Sequence, residues 1–183
     1  MSTRPEFDLS TKSIDKVTTV GKVVKWQNRG VRITAKADYA VRAAVELAAA
    51  EPSGKPVKGE QLARSQGIPQ NFLENILTEL RRAGIIRTRR GAEGGYRLAR
   101  PATEVTVADV LRAVEGPLAA VQGVRPDELT YEGAAALLPE VWVALRASLR
   151  DVLEHVTLAD IANRKLPAAV KERTRAKDAW RPH

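Results

Sequence analysis

The sequence predicts a mainly α fold carrying one small β-hairpin, and three observations predict it. Ala, Leu and Val dominate a hydrophobic content of 44%, while aromatic residues make up only 4%, a balance that favours helices over strands. Residues 59–76 have the spacing of a helix-turn-helix. Ala63 falls fifth and Gly67 ninth when Gly59 is counted first, with Leu62, Ile68, Leu73 and Ile76 apolar around them. Residues 85–98 read as a strand, a glycine-rich tip and a returning strand.

Each signal has a physical reason. Two helices that cross steeply through a tight turn leave no room for a large side chain at Ala63. Gly67 can take the left-handed conformation of the turn, and the fixed φ of Pro69 suits the first turn of the next helix. A helix-turn-helix followed by a basic hairpin is a winged helix, an arrangement that reads DNA. The competing reading is a generic helical pair with an ordinary hairpin. It does not account for small residues and arginines falling in register together.

The elements follow in order. Residues 1–30 lack periodicity beyond a short run at 17–26 and are expected to be a flexible leader, dispensable or preceding a biological start at Val31. Residues 34–50 form an amphipathic helix, with Thr34 as N-cap and Asp38 and Arg42 as an acid-before-base pair. Residues 51–56 turn. Residues 58–66 are the supporting helix, weakly started because Lys58 opposes the helix dipole. Residues 70–84 are the recognition helix. Phe72, Leu73, Ile76, Leu77 and Leu80 are expected to face inward, and Gln70, Asn71, Glu74, Asn75 and Thr78 outward. Gln and Asn can pair with adenine and Glu with cytosine. Residues 106–115 form a short helix and 116–138 a loop. Residues 138–156 form a long helix in which Leu138, Trp142, Leu145, Leu149, Val152 and Val156 step by four and three. This is a heptad seam suited to a second subunit. The resulting division is a leader (1–30), a winged-helix domain (31–104), a short helix, loop and dimerisation helix (105–162), and a basic tail (163–183).

Charge is placed unevenly. The net +8 comes from the two ends, since residues 31–163 are neutral overall. Within that neutral stretch, residues 81–100 hold Arg81, Arg82, Arg87, Arg89, Arg90, Arg97 and Arg100 against Glu93 alone, a patch whose natural partner is phosphate. Arg89 and Arg90 beside a glycine tip suit a narrow, negative groove. Cysteine is absent, which excludes disulfides, thiol chemistry and thiolate-ligated metal. With two histidines and no phosphate loop or triad, an enzyme is not expected. No stretch is apolar enough for a membrane span or secretion signal, so a cytoplasmic protein is expected.

Residues 31–162 resemble the Rrf-two (Rrf2) family of bacterial winged-helix regulators. The resemblance is carried by VRITAKADYAVRA at 31–43, IPQNFLENILTELRRAGII at 68–86, RGAEGGYRLARP at 90–101, VTVADVLRAVEGPL at 105–118 and VTLADI at 156–161. It implies that Thr34, Lys36 and Tyr39 help hold the first helix to DNA phosphates. Asn71, Phe72, Glu74 and Asn75 would meet the major groove, and Arg90, Gly91, Gly94, Gly95 and Tyr96 would set the wing at the minor groove. It further implies a homodimer of crossing antiparallel helices reading a pseudo-palindromic operator in double-stranded DNA, with repression the commoner habit. Two departures stand out. Ala92-Glu93 replaces Pro-Gly in the wing tip. The loop that in many members holds an iron–sulfur cluster has no cysteine, so no cluster and no metal cofactor are expected; His155 is expected at a helix surface. The signal stays open between a small molecule and a partner protein. The alternative to a specific regulator is a nonspecific nucleic-acid-binding protein, which would lack a large affinity ratio between its site and random DNA.

Overall fold

The computed structural model describes residues 33–181 apart from Ala92 and Gln122. The leader and its 17–26 run, and the C-terminal Pro182 and His183, lie outside the described residues. Helix α1 (Ala35–Ala50) begins where the Thr34 hydroxyl accepts the Ala37 N–H at 3.0 Å. Its alanines explain its central place. Ala40, Ala43 and Ala44 are fully buried, and their methyl groups let neighbouring helices approach closely.

Helix α2 (Gly59–Gln66) has no side-chain cap at Lys58, and ends at Gly67 with φ 61° and ψ 35°. Helix α3 (Gln70–Arg82) follows at once, burying Leu73, Ile76, Leu77 and Leu80. Phe72 differs from expectation: it is 42% exposed and meets the Tyr39 ring edge-on at 5.7 Å. It lies one position off the buried stripe, so it covers the α1–α3 seam from outside.

Strands β1 (Ile86–Arg89) and β2 (Gly95–Leu98) pair antiparallel, Ile86 opposite Leu98 and Arg89 opposite Gly95. The Ile86–Leu98 end is buried and anchors the hairpin; the other end stands in solvent. A third segment, not expected from the sequence, joins it: Val57 bridges Tyr96 just before α2.

Helix α4 (Val107–Glu115) and helix α6 (Leu158–Ala162) start with the same pattern, Val-Thr-x-Ala-Asp at 105–109 and 156–160. Thr106 with Asp109, and Thr157 with Asp160, form two capping boxes. The two starts pair antiparallel, Val107 N–H to Val156 O and Leu158 N–H to Val105 O, both at 2.9 Å. Helix α5 (Leu138–Leu153) is therefore shorter than the predicted 138–156. Val156 is not part of an exposed seam but 6% exposed in the core, because the second capping box has already begun there.

One further expectation changes. Residues 163–183 are not simply a tail: α7 (Ala168–Arg175) forms behind Pro167, and Arg173 pairs with Asp151 of α5. The packing also runs across 104/105, residues 33–181 lying within one compact unit. Val105, Val110, Val114 and Leu158 share one hydrophobic cluster with α1, α2 and α3.

Candidate nucleic-acid interface

The wing's last two glycines are required by close contacts. A Cβ on Gly95 would stand 2.6 Å from the Val57 carbonyl oxygen, and one on Gly94 would stand 2.5 Å from the Arg89 oxygen. Only hydrogen fits at either place. The close approach lets Val57 and Tyr96 exchange both backbone hydrogen bonds, at 2.9 and 2.8 Å. Tyr96 is thereby held beside Gly59 at the start of α2, where a Gly59 Cβ would lie 3.5 Å from its ring.

A surface groove of about 400 Å³ results. Gly59 and Glu60 of α2, Gln70, Glu74 and Thr78 of α3, and Tyr96 of the hairpin line it. The structure thus brings the outer face of α3 and the wing root to one side. Gln70, Asn71, Phe72, Glu74 and Asn75 are all exposed there, and the Gln70 amide donates to Glu74 at 3.3 Å.

Arg87, Arg89, Arg90 and Arg97 are exposed along the hairpin and Arg81 and Arg82 at the end of α3. No carboxylate of the described residues pairs with these six; Arg100 lies 3.5 Å from Asp109. Like-charged guanidiniums crowded onto one hairpin repel one another, and a phosphate backbone would relieve that repulsion. Gly91 has φ 108°, a conformation that favours glycine at the tip, and Glu93 is exposed beside it.

The α1 candidates behave differently. Thr34 is occupied as N-cap and donates to Glu115. Lys36 donates to the Val114 carbonyl at 2.6 Å and pairs with Glu79 at 2.8 Å. Thr34 thus ties α1 to α4, and Lys36 ties it to both α3 and α4. Tyr39 is half-buried between Phe72 and Arg42, whose guanidinium carbon lies 5.4 Å from the ring centre. Arg42 forms its expected pair with Asp38 at 3.2 Å and also links α1 to α2, donating from Nε to the Gln66 side chain at 3.0 Å.

On α5 the five seam residues that the helix contains are only partly exposed. Leu138, Trp142, Leu145, Leu149 and Val152 are partly covered by their own chain, while Leu137, Val141 and Val143 stand 70%, 55% and 43% exposed. His155 is exposed, its Nδ1 2.8 Å from the Asp151 carbonyl. The loop between α4 and α5 has no thiolate donor, and among the described residues no three His, Cys, Asp or Glu side chains converge. The donor set does not fit an iron–sulfur cluster or an iron ion. No helix of the described residues is long and apolar enough to cross a membrane.

Comparison with known proteins supplies the class. The family model Rrf2, described as an iron-dependent transcriptional regulator, matches residues 33–164. A Mycobacterium tuberculosis protein, Rv1287, named among HTH-type transcriptional regulators, is 54% identical over 78% of this chain and 88% of its own. The structure of CymR, the global cysteine regulator of Bacillus subtilis, superposes with a TM-score of 0.63 at 29% identity, covering 74% of this chain and 98% of CymR. T. potens IscR gives a TM-score of 0.61 at 31% identity, covering 75% and 90%.

Proposed function

Because the chain belongs to the Rrf2 family of winged helix-turn-helix transcriptional regulators, we propose that it acts as a homodimeric repressor on a pseudo-palindromic operator, without an iron–sulfur cluster. The observation that carries this reading is the groove joining the polar face of α3 to Tyr96 at the wing root, on a hairpin whose arginines are exposed. In it α3 enters the major groove with Gln70, Asn71, Glu74 and Asn75 toward the base edges. Arg89 and Arg90 reach the adjacent minor groove. Tyr39 and Phe72 brace the helix, while Thr34 and Lys36 hold α1 in register behind it.

Two such units read two half-sites when α5 pairs with its copy through Leu138, Trp142, Leu145, Leu149 and Val152. The exposed Leu137, Val141 and Val143 beside that partly covered seam support the pairing. The signal does not involve thiolate-bound iron, since cysteine is absent.

Selection of bound fragments from a genomic library, followed by fluorescence anisotropy against a scrambled duplex across a salt series, tests the reading. The expected result is a preference of about a thousandfold or more at physiological salt. Equal binding to both duplexes that vanishes steeply with salt would leave only phosphate contact and favour the nonspecific nucleic-acid reading.

A further inference from the structure

A second set of arginines lies away from the hairpin and on a concave surface. Arg112 of α4, Arg125 of the loop, and Arg146 and Arg150 of α5 line a cavity of about 360 Å³, closed on one side by the turn at residues 116–118. That turn presents Pro117 and Leu118. No carboxylate is in the lining. The counter-charges come from carboxylates outside the lining. Glu154 accepts from Arg150 at 2.9 Å and from Arg112, and Asp127 accepts from Arg125 and from Arg146, both at 2.7 Å. Glu128 reaches Arg125 at 3.5 Å and Asp109 reaches Arg112 at 4.0 Å.

A guanidinium has five N–H donors. In Arg150 the carboxylate contact uses Nε alone, and in Arg146 one terminal nitrogen alone, so both keep donors to offer. Being already pinned, these side chains lose little rotamer freedom when they take up a ligand. Outside the lining, one turn before Arg146 on α5, Trp142 has a buried Nε1–H with no acceptor among the described residues. Four cations over an apolar floor describe the complement of a small molecule with a charged head and a short apolar body.

We propose that this cavity binds a small organic anion with a dianionic head, a phosphomonoester or a dicarboxylate, and that it is the effector site. The effector role rests on the regulator reading above; the binding does not. The coupling is physical. Glu154, by holding both Arg112 and Arg150, joins α4, which packs on α1 behind the DNA-reading face, to α5. An anion that competes with Glu154 for those guanidiniums rearranges that joint.

Calorimetric titration of the full chain without DNA tests the binding, using phenyl phosphate and succinate as probes at matched ionic strength. One saturable site per chain is expected for at least one probe, and the better probe identifies the head group. Binding should weaken at least about tenfold in R146Q/R150Q and stay unchanged in the wing variant R90Q. The conservative pair R146K/R150K, which keeps charge and loses the planar fork, should weaken it as well. No saturable binding by either probe, or equal weakening in R90Q, overturns the site. In a second arm, saturating probe should change operator affinity at least about fivefold. Unchanged operator affinity removes the effector role. Failure to bind any operator strikes the regulator reading instead, and the titration without DNA still decides the cavity.

Discussion

Gly95 lies so close to Val57 that a methyl group on its Cα would stand 2.6 Å from the Val57 carbonyl oxygen. That contact joins the hairpin to the start of α2. It is why a glycine directly precedes Tyr96; Gly94 before it is required by the Arg89 oxygen.

Gly95→Ala should therefore cost stability by opening the Val57–Tyr96 pair, by about 1–3 kcal/mol as in other over-packed sites. Urea unfolding followed by circular dichroism measures it. A variant as stable as the parent would mean that the hairpin shifts freely and that its attachment to α2 is loose.

Arg90→Ala should weaken operator binding by about 1–3 kcal/mol if the side chain contacts base edges or a narrow groove. Anisotropy with the selected operator reads this directly. An unchanged affinity would take the wing out of recognition.

Leu145→Asp should place a carboxylate in the proposed α5–α5 seam and raise the dimer dissociation constant by about a hundredfold or more. Sedimentation velocity at low micromolar concentration should then give monomers, with operator affinity lost in parallel. A variant that sediments as a dimer would place the subunit contact elsewhere.

Acid should loosen the α4–α5 joint. Hydrogen bonds from Arg150 first, then Arg112, lower the Glu154 carboxyl from its ordinary 4.5 to about 2. A depressed carboxyl stabilises the fold above its unfolded value, so the contribution is complete above about pH 4.5 and is lost as pH falls toward 2. Hydrogen exchange of the C-terminal amides of α5 should speed up across that window. Glu154→Gln should show the faster exchange already at neutral pH, and identical exchange in parent and variant would count against the link.

Much of the fold was legible because local chemistry announces it. Thr34, Gly67 and Pro69 mark helix ends whatever surrounds them, and Thr106 with Asp109 needs only its own chain to close a capping box. The buried stripe of α3 and the unmixed charge of the hairpin are likewise one-dimensional patterns. The family followed from motifs of the same local kind.

What sequence order could not carry was proximity between distant segments. Gly94 and Gly95 read as freedom until Val57 and Arg89 came within reach of them. Lys36 and Glu79 lie far apart in the chain, and only the packing of α1 on α3 brings them to 2.8 Å. Val156 continued a heptad on paper, and only its pairing with Val107 placed it in the core. The residues at 163–183 held an α7 signal, Pro167 ahead of good helix formers, but their basic charge read more strongly. The sequence by itself determined the helices, the hairpin, the absence of thiolate ligands and the class of regulator, because each depends on neighbours in the chain or on composition. Tertiary structure alone decided which arginines stay open to solvent and which four gather around a cavity, because that depends on where α4 and α5 meet.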